Sequence, residues 1–211
     1  MYQPPHFRED RLAVQHALIR AHPLGLLITA GPGGLQANPM PVLVDSDASE
    51  KGTLRAHLAR ANPQLQELAN VEECLVVFQG PQRYITPSWY ATKHETGKVV
   101  PTWNYITVHA WGRPRVIDDA NWLRQQVGEL TASQENTRST PWPVEDAPAE
   151  FIASQLKAIV GIEIPIARIE GKWKVSQNRP AADRAGVIAG LRSEGDEIMA
   201  SAVDERSKSS Q

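Results

Sequence analysis

Between Tyr84 and Gly112 the chain reads YITPSWYATKHETGKVVPTWNYITVHAWG. This stretch holds three of the six tryptophans (Trp89, Trp103, Trp111) and three of the four tyrosines (Tyr84, Tyr90, Tyr105). Ser88, Lys93, Lys98, Thr102, Asn104 and His109 are interleaved with them. From Asn104 to Val116 the pattern alternates. Asn104, Ile106, Val108 and Ala110 share one face, and Tyr105, Thr107, His109 and Trp111 the other, which predicts a long strand. Tyr84 to Thr86 reads as a shorter strand, and Tyr90 to Lys98 as a polar loop. Tryptophan, tyrosine and threonine suit a pleated, half-buried surface, so each ring taken singly reads as core. Taken together, aromatic plates mixed with hydroxyls, amides and cations suit a flat, polar, heteroaromatic ligand.

Upstream, Asp10 to Ala21 places Leu12, Ala17, Leu18 and Ala21 on one helical stripe with Asp10 as N-cap, and His22-Pro23 ends it. Leu24 to Thr29 reads as a buried strand, Gly31 to Gly34 as a hairpin turn, and Leu35 to Val44 as the returning strand. Pro39 and Pro41 cannot donate ladder hydrogen bonds, so that strand is expected to be bulged or to lie at an edge. Asn38 and Met40 then sit either beside an irregular rim open to a ligand or on an ordinary edge strand.

Thr53 to Leu58 is a short strand with Arg55 and His57 on one face, and Asn62-Pro63 reads as a helix start ahead of Gln64. A strand that delivers His57 and Arg60 onto the free amides of a helix N-terminus would form an anion site. Glu73 to Gln79 is a core strand, and Gly80-Pro81 a turn into the aromatic stretch.

Downstream, Asp118-Asp119 opens a helix through Ala132, with Trp122, Leu123, Val127 and Leu130 as its apolar face. Ser133 to Ala149 is a polar, proline-rich loop, and Glu150 to Ala158 a short helix. Gly161 to Val175 reads as a long strand with a turn or bulge at Glu170-Gly171; its Trp173 either lies under a ligand or closes the core. Arg179 to Leu191 is weakly helical. Residues 1–192 are expected to form one domain, and the polar run 193–211 a mobile tail.

The 211 residues carry a formal net charge of −2, which argues against binding nucleic acid mainly by phosphate neutralisation. Cys74, the one cysteine, lies in an apolar strand-like run and precludes a disulfide within the chain. No apolar stretch approaches the ~20 residues of a membrane helix, and the N-terminal residues lack a secretory pattern, so a cytoplasmic protein is expected. The six histidines lack the spacing of a zinc site, and no nucleophile elbow, phosphate loop or dinucleotide fingerprint occurs. No catalytic acid and base can be nominated.

Several blocks resemble one family. SWYATK (Ser88–Lys93) followed by VPTWNY (Val100–Tyr105) is similar to the PaiB family of FMN-binding proteins, described as negative transcriptional regulators. The opening Met1-Tyr2-Gln3-Pro4-Pro5-His6-Phe7, HPLGLLIT (His22–Thr29), ANPMPV (Ala37–Val42), HLARANPQ (His57–Gln64) and GIEIPIARIEGKWKVSQN (Gly161–Asn178) with Asp183-Arg184 extend the likeness over most of the chain.

The resemblance implies a mainly β fold with peripheral helices. It is an antiparallel, Greek-key split β-barrel of the pyridoxamine-phosphate-oxidase type, homodimeric, with FMN at the subunit interface. On that reading His57, Arg60, Asn62 and Gln64 hold the flavin phosphate, and Asn38 and Met40 bind the cofactor from the rim of their strand. Ser88, Trp89, Tyr90, Trp103 and Asn104 edge the ring, and Lys93 lies near ring or phosphate. Related split barrels commonly carry a Ser-Arg-Lys run at the phosphate position, where this chain has Asn62-Pro63-Gln64.

Three functions compete. The first is a flavin protein acting as oxidoreductase or sensor for a small molecule. The second is a transcriptional regulator that binds DNA, although the sequence shows no helix-turn-helix or basic stripe. The third is a haem-binding split barrel with His6 or His109 as axial ligand.

Overall fold

The computed structural model describes residues 1–208. It contains nine strands in the hydrogen-bonded order β1-β9-β6-β5-β2-β3-β4-β8-β7, antiparallel in every register given below. The mostly β class expected from the sequence is the one observed. By contact density the chain falls into two compact units. One comprises Leu12–Phe78 and His109–Ile169, and the other Met1–Arg11, Gln79–Val108 and Glu170 onward.

In the unit that begins at Leu12, helix α1 (Leu12–Ala21) runs into β2 (Leu24–Gly31), which turns through Pro32-Gly33 into β3 (Gly34–Asp45). Strand β4 (Thr53–Ala59) follows, then α2 (Gln64–Leu68) and the first part of β5 (Cys74–Ile85). After the last part of β6 (Thr102–Gly112) come β7 (Arg115–Ile117), α4 (Ala120–Glu135), α5 (Ala149–Lys157) and β8 (Ile159–Pro165).

The registers of β3 show no bulge, so of the two alternatives for Pro39 and Pro41 the edge is realised. Gly34 to Pro41 pairs with β2, and only Val42 to Asp45 pairs with β4. The two prolines fall where β3 has one partner and no second ladder needs their nitrogens. Asp119 caps α4, its carboxylate accepting from the Trp122 amide at 2.8 Å. Met40, Val42, Leu54, Ala56, Ile162 and Ile164 are almost fully buried and form this unit's core.

In the other unit, β1 (Arg8–Glu9) pairs with β9 (Arg168–Lys174). The rest of β5, helix α3 (Ala91–Thr96), the start of β6, α6 (Ala181–Ser193) and α7 (Glu197–Lys208) complete it. Val175, Val187, Leu191, Met199, Ala200 and Val203 are wholly buried.

Four local expectations are corrected. Gly80-Pro81 is not a turn, since β5 runs unbroken from Cys74 to Ile85. Its register with β2 covers only Leu75 to Val77, so Pro81 lies beyond that ladder. Tyr90 to Lys98 is not a loop but contains α3, which Gly97 closes at φ 65° with its amide on the Lys93 carbonyl. The strand expected over Gly161 to Val175 breaks at Ile166-Ala167 rather than at Glu170-Gly171. There the Ile166 and Ala167 amides leave the ladder for the carbonyls of Gly52 and Trp111.

The fourth correction concerns the C-terminal run. It forms α7, capped by Asp196, whose carboxylate accepts from the Met199 amide at 3.0 Å, and buries Met199, Ala200 and Val203. Residues 209–211 of the expected tail lie outside the described residues. Among the described residues, no helix is long and apolar enough to cross a membrane.

Candidate functional site

In the unit that contains α6, the 3-10 turn Pro87–Trp89 carries Trp89 against a helix face made flat by two glycines. A Cβ on Gly186 would lie 1.9 Å from the Trp89 carbonyl oxygen, and one on Gly190 would lie 2.3 Å from the indole ring. No side chain can be accommodated at either position without moving the turn. Trp89 is thereby fixed at the wall of a crevice of about 530 Å³, which Tyr84 and Trp103 also line.

Tyr84 and Trp103 meet edge to face, with centroids 6.1 Å apart, and both stay about half exposed. Two exposed rings in this arrangement offer apolar faces that water solvates poorly. The polar rim includes Gln82, Thr86 and the Arg83–Glu194 ion pair. Close by, the Lys93 ammonium donates to the Ser88 hydroxyl at 3.2 Å.

Two expected ring-edge residues are buried instead of lining this crevice. Asn104 is fully buried, its amide nitrogen donating to the Ser176 hydroxyl at 3.0 Å. Tyr90 is 1% exposed, with the Arg179 guanidinium 4.4 Å above its ring. Burial raises the Tyr90 phenol, and Arg179 partly offsets the rise.

In the other unit, the expected phosphate residues are engaged with one another and with neighbours. Gln64, fully buried, donates to Thr29 Oγ1 at 3.1 Å and accepts from the Asn38 amide at 2.9 Å. Glu67 accepts from Thr29 and Gln36 in the same network, which seats α2 on the β2–β3 hairpin. Asn62 caps the turn as expected, its side-chain oxygen accepting from the Gln64 amide at 3.0 Å. The helix that follows, however, has only five residues. Met40 is 1% exposed.

His57 Nδ1 lies 2.7 Å from Gln126 Oε1 on α4. The Arg60 guanidinium forms a two-pronged pair with Asp118 at 2.7 and 2.8 Å, and also donates to the carbonyls of Lys157 and Ile159. The hydrogen-bonded pair raises the Arg60 pKa and lowers that of Asp118. His109 tilts against Trp111 at 5.6 Å, and in the unit that contains α6 His6 stands edge-on to Phe7 at 4.1 Å.

A family model described as "Putative FMN-binding domain" matches residues 1–168. The chain belongs to this FMN-binding family. Its cofactor is FMN. An uncharacterized protein of Emericella nidulans is 38% identical, with 92% of each chain covered. The protease synthase and sporulation protein PAI 2 of Bacillus subtilis is 30% identical over 92% of this chain and 90% of its own.

Among solved structures, the FAD and heme binding protein of Mycobacterium smegmatis superposes with a TM-score of 0.59 at 15% identity, covering 79% of this chain and 73% of that one. A conserved protein of Mycobacterium tuberculosis does so with a TM-score of 0.59 at 12% identity, covering 85% and 94%. These neighbours share the chain's mostly β fold, an antiparallel sheet with flanking helices.

The crevice walled by Tyr84, Trp89 and Trp103 fits the family's cofactor in shape and chemistry. It is open, flanked by apolar rings and rimmed by hydrogen-bonding groups, as a planar heteroaromatic ring with polar edges requires.

Proposed function

We propose that this FMN-binding protein uses the flavin for redox chemistry or redox sensing on a small molecule, and that it works as a homodimer. The observation that carries this reading is the half-exposed Tyr84–Trp103 pair beside the fixed Trp89. Trp89 and Trp103 hold the isoalloxazine by stacking, with Ser88 and Lys93 at its polar margin. FMN, when bound, supplies hydride or single-electron transfer, while the chain binds, orients and shields it. On this reading Tyr90 and Asn104 act through the frame of the crevice's own unit, and Asn38, Met40, His57, Arg60, Asn62 and Gln64 serve the fold of theirs. The burial of Met40, Gln64, Tyr90 and Asn104 and the existing hydrogen bonds of Asn38, His57, Arg60 and Asn62 favour a supporting role over direct contact.

The test is a visible-absorbance titration with FMN. Saturable binding that weakens in Trp103→Ala upholds the assignment of the ring site, and undiminished binding in Trp89→Ala and Trp103→Ala together overturns it.

Support for the homodimer comes from one face of the β2–β3 hairpin. The cross-strand pairs Leu24↔Pro41, Leu26↔Pro39, Ile28↔Ala37 and Ala30↔Leu35 are all apolar. Leu24 is 64% exposed and Leu35 79% exposed. A continuous apolar sheet face left in water favours a second copy over solvent. Light scattering of Leu26→Asp is expected to show a monomer where the wild type is a dimer.

A regulatory output, in keeping with the resemblance to PaiB proteins, is tested by a gel shift on the gene's own promoter with oxidised and reduced flavin. No shift at low salt removes it.

A further inference from the structure

In the unit that contains α6, the turn linking β9 to α6 closes a second, smaller cavity of about 110 Å³. At about 30 Å³ per water, that is room for three or four waters, or for one phosphate or carboxylate group. Lys174 and Arg179 supply its charge, and Thr102, Asn104, Ser176 and Asn178 its neutral polar groups. None of its lining residues is acidic. Among the described residues, neither Lys174 nor Arg179 forms an ion pair with a carboxylate.

Lys174 spends two of its three donors on the Thr102 hydroxyl at 2.6 Å and the Trp103 carbonyl, which leaves one for a ligand. Burial lowers its pKa, and the neighbouring Lys172 and Arg179 cations lower it further. An anion in the cavity would relieve that crowding.

The backbone at this spot is also strained. Ser176 has φ 66°, the one positive φ at a non-glycine residue among those described. The buried Asn104 amide holds its side chain, and its carbonyl accepts from the Arg179 amide at 2.9 Å. Strain of this kind persists only where the surroundings enforce it, and it gathers at binding sites. Here it brings the Ser176 hydroxyl and Arg179 to one cavity wall. The stack of Arg179 on Tyr90 restrains its fork, and orientation of this kind matters for recognising a planar or tetrahedral oxyanion.

We propose that this cavity is an anion site, in which Lys174, Arg179 and Ser176 take the phosphate or carboxylate of a small anionic ligand. The group belongs either to the flavin itself or to a separate acidic substrate or effector. The proposal stands apart from the stacking crevice, and the two are read by different titrations.

The experiment titrates purified protein with inorganic phosphate at constant ionic strength, following tryptophan fluorescence and melting temperature. The wild type is expected to saturate and to melt higher. Lys174→Met and Arg179→Met are each expected to lose at least about tenfold in phosphate affinity. Lys174→Arg is expected to retain binding, and Arg60→Met to match the wild type. Absence of saturation in the wild type, or wild-type affinity in both methionine variants, overturns the proposal.

Parallel titrations with FMN and riboflavin assign the source of the anion. Variants that weaken FMN alone identify the flavin phosphate, whereas variants that weaken neither identify a separate acidic ligand. Loss of flavin binding with phosphate binding intact would defeat the stacking site and leave this one standing.

Discussion

At the end of β4, Arg60 is held between Asp118 and two backbone carbonyls, while at the end of β9, Lys174 and Arg179 face neutral oxygens, aromatic rings and the Lys172 cation. In sequence both spots look alike: a basic residue after a strand, close to an asparagine and a proline, ahead of a helix. The fold separates them. A cation already matched by a bidentate carboxylate has little left to offer an incoming anion. A pair of cations crowded together without a carboxylate gains from any anion that arrives. The same contrast holds for the amides, since Gln64 is satisfied by Asn38 and Thr29, whereas Asn104 props a strained serine at a cavity wall.

The sharpest way to break the contrast is to disturb the support of the aromatic crevice. Gly186→Ala places a methyl group into the Trp89 carbonyl, and overpacking of this kind costs about 1–3 kcal/mol. Thermal unfolding should show the loss, and FMN titration should weaken with it. If the variant melts like the wild type, the α6 face is not what fixes Trp89.

Next in size is the crevice itself. Trp103→Ala should weaken FMN by up to about tenfold, the worth of one aromatic contact, with little change in melting temperature because the ring is half exposed. If Asn62→Ala weakens FMN more than Trp103→Ala does, the ligand lies with the other unit and the contrast is reversed.

A third test uses pH. Burial alone would raise the Glu9 carboxyl, but hydrogen bonds from the Arg11 side chain and backbone and from Arg206 outweigh it and hold the pKa at about 2. A pKa depressed on folding means that Glu9 stabilises the protein above its ordinary 4.5, and that this stabilisation is lost as pH falls from there toward 2. Because Arg206 sits on α7, Glu9→Gln should lower the melting temperature at neutral pH and flatten its decline through that acid window. An unchanged acid limb would show that α7 is held by its apolar face alone.

The smallest effect belongs to Arg60→Ala. With its partner exposed and its donors engaged within the chain, FMN affinity should stay within about twofold of the wild type. A larger loss would return the phosphate to the β4 corner.

Much of the fold was legible because local signals were redundant. The β2–β3 hairpin has two apolar runs about a glycine-proline turn, and α4 has a capping aspartate before an apolar stripe. Helices α3 and α7 were obscured by polar composition. Their signals were a closing Gly97 and a capping Asp196 ahead of Met199, Ala200 and Val203. The aromatic half of the site was legible as a cluster in one short stretch. The phosphate half was not. Asp118 neutralises Arg60 from 58 positions away, and nothing near His57 to Gln64 announces it. Likewise Asn104 and Ser176 are 72 positions apart and meet only through the pairing of their strands' ends.

The thiol of Cys74 is buried, leans on the Gly112 carbonyl at 3.4 Å and is pushed by burial up to about 12. At neutral pH it stays protonated and out of reach of electrophiles and peroxide. A single cysteine engineered at an exposed position off the hairpin face, such as Ala48, would therefore take a spin label or fluorophore against a silent background, giving a direct ruler for the distance between two copies.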